Sequence, residues 1–106
     1  MTALMSFQLV LQWPVSSIED YDALIELEEA FLEGASSDIS VDGHDAGSGE
    51  FNIFVLTTDP NRTFADLKKI VDNFKMTQGL RAGYRSLKAE LYTAIWPTHL
   101  ASFKIG

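Results

Sequence analysis

Five polar side chains fall within one stretch of eleven residues: Asp42, His44, Asp45, Glu50 and Asn52. Carboxylates beside a histidine favour its charged form, which is how a general acid or base is usually arranged near neutral pH. The candidate catalytic residues are therefore His44, Asp42 and Glu50. Alternation along two strands puts Asp42, His44, Glu50 and Asn52 on one face, provided the first strand keeps its register as far as His44. A one-residue bulge undoes the cluster, and the glycines at 43, 47 and 49 leave room for one. There is also a purely structural alternative, in which Asp42 or Asp45 bonds to backbone amides of a glycine-rich turn and catalyses nothing. Asp42, His44, Asp45 and Glu50 could ligate a divalent ion, but neither a His-Glu-x-x-His pair nor an acidic calcium loop is present, so no metal and no cofactor is expected. Ser48 lacks the strand-to-helix elbow of a nucleophile, and His99 stands alone in the C-terminal tail.

The elements that must position these groups are legible from periodicity. Two β-branched runs flank the glycines between Asp38 and Thr58, as in a hairpin with a long or bulged turn. Before it, Phe7 to Trp13 alternates apolar and mixed residues and is stopped by Pro14, which predicts a strand. Ser16 and Glu19 match a capping box, predicting a helix from about Ser17 to Glu33. Its apolar stripe comprises Ile18, Tyr21, Leu24, Ile25, Leu27, Phe31 and Leu32, with Gly34 as a left-handed stop. Glu19, Asp20, Asp22, Glu26, Glu29 and Glu33 form an opposite face without lysine or arginine, either simply solvated or the dock of a basic partner. After the turn at Asp59-Pro60-Asn61, Thr63 and Asp66 read as a second cap. Phe64, Leu67, Ile70, Val71 and Phe74 then give a second helix ending near Gln78-Gly79. From Leu87 to Ile95 the chain reads either as strand or as helix; its aromatic and β-branched content, ending at Trp96-Pro97, favours strand, with Tyr84 to Leu87 as a candidate preceding strand segment.

Composition sets the limits. A chain of 106 residues with 46% hydrophobic and 22% charged residues is one globular domain, spanning 1–106. Without cysteine it has no disulfide and no thiolate site. The net charge of −7 argues against nucleic acid and against an anionic membrane surface, since Arg81, Arg85 and Lys88 are too dispersed to make a phosphate site. A basic protein partner suits the charge. The N-terminus lacks a basic segment followed by a long apolar one, and no apolar run reaches membrane-spanning length, so a cytoplasmic location is expected.

Strand, helix, strand, strand, helix, strand, with sequential pairing and right-handed crossovers, predicts an α+β, ferredoxin-like βαββαβ sandwich: an antiparallel sheet with two helices on one face. Phe7, Leu9, Leu11, Ile39, Val41, Phe51, Ile53 and Val55 would then face the helices. The open face would carry Gln8, Val10, Gln12, Ser40, Asp42, Glu50, Asn52, Phe54, Tyr92 and Trp96. Of these, Gln8, Gln12, Asn52, Phe54, Tyr92 and Trp96 are the candidate binding residues, uncharged groups mixed with aromatics as at an interface centre. Val10, Phe54, Leu56, Tyr92 and Trp96 would form an apolar patch of a kind monomers seldom expose, so a homodimer is expected to cover it. The alternative covers are a ligand or the tail carrying Phe103 and Ile105.

The run Val41-Asp42-Gly43-His44-Asp45-Ala46-Gly47-Ser48-Gly49-Glu50, followed by Asn52-Ile53-Phe54 and the closing Trp96-Pro97, resembles a family of small uncharacterised bacterial proteins with the same order of elements. The resemblance implies this fold and a role for the hairpin, and carries no activity with it. Two readings follow. The first is a noncatalytic binding module, a regulator of another protein, the immunity type included, using the open face and the acidic helix. The second is a small enzyme or ligand-binding domain centred on Asp42, His44 and Glu50.

Overall fold

The computed structural model describes residues 5–15, 17–34 and 39–105, with the Ile18 side chain left out. Along the chain run β1 (Phe7–Pro14), α1 (Ile18–Gly34), β2 (Ile39–Gly47), β3 (Glu50–Thr57), α2 (Pro60–Asn73), β4 (Arg81–Ser86) and β5 (Thr93–Trp96). The strands form one antiparallel sheet in the order β2-β3-β1-β4-β5. Four strands are expected, with Tyr84 to Leu87 as a candidate segment before the last, and five are found, because the last third of the chain folds back on itself. Arg81 to Ser86 pairs with β1, and the strand expected near Leu91 is the short outer partner of β4. No described helix is long and apolar enough to cross a membrane.

Both helices pack on one face, around Leu9, Leu11, Phe51, Ile53 and Val55 as alternation requires. Trp13 closes the end of that layer and donates from Nε1 to the Met76 carbonyl at 2.8 Å. α1 contributes Leu24, Leu27 and Phe31, and α2 contributes Phe64, Leu67 and Val71. Each such side chain removed from water is worth about 1.5–3 kcal/mol, so these positions dominate the packing.

The helix ends differ in detail from expectation. Ser16 lies outside the described residues; the α1 cap is the Ser17 hydroxyl, which accepts from the Asp20 amide at 3.1 Å. α2 is capped by Asp59, which accepts from the Arg62 amide, with Pro60 in the first turn. Thr63, expected as that cap, is buried and bonded through its hydroxyl to Thr57. α2 also ends before Gly79. The Met76 amide reaches back to the Val71 carbonyl and that of Lys75 to Asp72, and this Schellman closure holds Lys75 at φ 58°.

Candidate functional site

The hairpin between β2 and β3 is tighter than its glycine content suggests. Gly47 pairs with Glu50, so the loop is Ser48-Gly49 alone, with φ 54° and 77°, the doubly left-handed turn that matches strand twist. The irregularity lies further back, between Val41 and His44, where β2 carries one residue more than β3 and Gly43 takes φ 98°.

That extra residue decides where His44 points. Val41 opposes Val55 and His44 opposes Ile53, so both face the helices, while Asp45 opposes Asn52 on the other side. The expected cluster of Asp42, His44, Glu50 and Asn52 is therefore split by the bulge. His44 stacks on Phe51 with ring centroids 5.0 Å apart, and its Nδ1 lies 2.9 Å from Glu28 Oε1 on α1. The Tyr21 hydroxyl is 3.4 Å from its Nε2. A carboxylate only accepts, so Nδ1 donates a hydrogen bond to Glu28, and Nε2 faces the Tyr21 hydroxyl. The side chains of His44 and Glu28 are 29% and 11% exposed, so the pair is half-enclosed. Glu28 and Tyr21 were not expected to join His44. A signal existed for Glu28, which follows Leu27 and precedes Phe31 by three residues, on the flank of the apolar stripe and away from the other carboxylates.

Asp42 and Asp45 are exposed, and neither makes a side-chain hydrogen bond among the described residues, so the turn is held by backbone geometry. Glu50 lies on the face away from the helices and pairs with Arg81 at 3.2 Å. No group of three histidine or carboxylate side chains that could hold a metal ion forms among the described residues.

The face away from the helices is covered in part by the chain itself, over β4 and β1. Gly83 opposes Val10, and the Phe103 ring sits against it so closely that a Cβ at Gly83 would lie 2.5 Å from Phe103 Cγ. Gln12 donates from Nε2 to Asn52 Oδ1 at 3.1 Å and to the Lys104 carbonyl at 3.2 Å. That carbonyl only accepts, so it fixes which end of the Gln12 amide faces it and leaves Oε1 without a partner among the described residues. Val10 is consequently 0% exposed, Gln12 and Asn52 are buried, and Phe54 and Leu56 are half-buried. Gln8 accepts from Tyr92 at 2.7 Å and from Arg85 Nε at 3.1 Å, and Tyr92 packs edge-on against Phe103. Of the candidate binding residues, Trp96 alone is elsewhere. A register shift in the β4–β5 pairing sets it opposite Ala82, on the helix side, where it meets Phe64 and the Lys68 ammonium.

The molecule is thus an α+β domain whose antiparallel sheet has two helices on one side and a C-terminal strap on the other. In comparisons with known proteins, no family model, no curated protein and no solved structure matches the chain.

Proposed function

We propose that the protein is a noncatalytic binding module that engages the basic surface of a protein partner through α1, in the manner of a regulator. The observation that carries this is a stripe of exposed carboxylates, Glu19, Asp22, Glu26, Glu29 and Glu33, spaced three and four residues apart along the side of α1 away from the core. None of the five is ion-paired among the described residues. Like charges at these spacings cost an isolated helix about 0.2–0.5 kcal/mol per neighbouring pair, so the stripe weakens the element that bears it. A basic partner recovers that cost on binding and gains from long-range steering. As part of the same proposal, β2-β3-β1-β4 with the two helices forms a ferredoxin-like βαββαβ unit, to which β5 and the strap are additions.

A defined lysine-rich peptide serves as the probe. Saturable binding is expected, weakening as salt rises, and falling at least about tenfold when Glu19, Glu26 and Glu33 are changed together to Lys. A variant with Asp45, Asp66 and Glu90 changed to Lys has the same net charge and should bind nearly as wild type. Equal losses in the two variants would show that overall charge, not α1, is read.

The second reading, a small enzyme, draws on one observation: a carboxylate orients the His44 imidazole, as in many general bases. The cavities beside Arg85, beside Trp13 and beside Met5 are lined by residues other than His44.

A further inference from the structure

The geometry points to a binding site for a small organic monoanion with an apolar body, a medium-chain or aryl carboxylate, in the cavity between the β4–β5 connection and the C-terminal strap. That cavity is an open cleft of about 680 Å³, within the range of small-molecule sites. It is independent of the α1 surface and of opposite charge.

Three of the protein's eight basic residues, Arg85, Lys88 and Lys104, line it, against the single carboxylate of Glu90. None of the three is ion-paired among the described residues, whereas Lys68 and Arg81 are. Arg85 is held in advance: Nε donates to Gln8 at 3.1 Å, Nη1 to the Ala89 carbonyl at 3.0 Å, and the guanidinium lies 5.8 Å from the Tyr92 ring centroid. Its Nη2 group makes no bond among the described residues. A fixed guanidinium with free donors is what a carboxylate needs, because little freedom is lost on binding.

The remaining walls are apolar and unusually wet. Leu87 is 46% exposed, Leu91 86% and Ile105 36%, three of the six large hydrophobic side chains exposed to this extent among the described residues. Apolar surface of this kind, gathered around a positive cavity on a protein of net charge −7, fits a ligand with a hydrocarbon body and one negative end. The strap supplies one wall through Phe103 and Lys104, and Gly83 lets it seat against the sheet.

Decanoate below its micelle concentration, with decanol as the uncharged match, tests this by calorimetric titration. One-to-one saturable binding of decanoate is expected, with decanol at least about tenfold weaker, since charge-assisted bonds are lost. Lys88→Glu with Lys104→Glu, both exposed in the free protein, should lower decanoate affinity at least about tenfold while the circular dichroism spectrum stays unchanged. Arg85→Gln should do the same, but Arg85 also ties the loop, so the lysine pair is the deciding variant. Equal binding of decanol, or affinity untouched by the lysine reversals, overturns the proposal. So does a doubled mass with no decanoate binding, which would mean that a second copy occupies the groove.

Discussion

Glu28 carries its charge into a nearly closed position, and the histidine that receives it is there because Gly43 admits one additional residue into β2. A partly buried carboxylate deprived of its donor keeps its desolvation penalty, so losing His44 should cost more than one surface bond. His44→Ala is expected to lower stability by about 1–3 kcal/mol in urea unfolding. Glu28→Ala should cost less in the His44→Ala background than in wild type, with a coupling of at least about 0.5 kcal/mol. Additive losses would show that the two side chains do not hold β2 against α1.

At the scale of elements, α2 is closed by side chains as well as by backbone. The Asp72 carboxylate accepts from the Thr77 hydroxyl just past the helix and from Lys68 Nζ one turn before. The Thr77 hydroxyl first, and the Lys68 ammonium after it, hold this carboxyl below its ordinary value of 3.8. The folded state therefore binds its proton less readily than the unfolded chain does. The resulting stability is complete above the unfolded value and is lost as pH falls through the lowered folded one. Asp72→Asn should accordingly be less stable than wild type at pH 7, and the gap should close in thermal melts as pH drops below about 4, where the unfolded carboxyl takes up its proton. A gap that persists unchanged at low pH would place the effect of Asp72 elsewhere than in its charge. Thr77 also begins the turn in which the Leu80 amide bonds to the Thr77 carbonyl, so this closure leads directly into β4.

For the molecule as a whole, the question is what covers the second face of the sheet. Val10 is fully buried, Tyr92 packs on Phe103 of the strap, Phe54 and Leu56 are half-buried and Trp96 faces the helices, so less of the expected apolar patch meets water than a bare sheet would expose. Light scattering during size exclusion should therefore give wild type a mass near 11.8 kDa. Gly83→Ala brings its Cβ to 2.8 Å from Phe103 Cβ as well as against the ring, so the backbone of the strap must shift. That variant should lose about 1–3 kcal/mol and gain mass with concentration as the apolar face opens. A wild-type mass near twice the chain would instead place a second copy on a surface other than the one the strap occupies. A Gly83→Ala variant as stable as wild type would mean that the strap does not bear on the sheet.

How much was legible beforehand follows from the range over which each signal acts. Alternation in Phe7 to Trp13, the spacing of Leu24, Leu27 and Phe31, and that of Phe64, Leu67 and Val71 each record which side of one element must leave water, so these three elements and their core-facing residues could be read from the sequence alone. The acidic stripe on α1 was legible for the same reason. The site was not, because a strand's faces depend on an exact residue count: one residue added at Asp42 and Gly43 turned His44 from the open face to the helices and gave it Glu28, a partner sixteen residues away. The same holds for Trp96, moved to the helix side by a register shift that its own sequence does not reveal. The covered second face rests on a fit between Phe103 and the missing side chain of Gly83, residues distant in sequence. Local pattern determined which residues of α1, α2 and β1 face the common core; only the tertiary structure decided that Val10, Gln12 and Asn52 on the other face are buried as well, since pairing register and surface complementarity exist only between elements already in place.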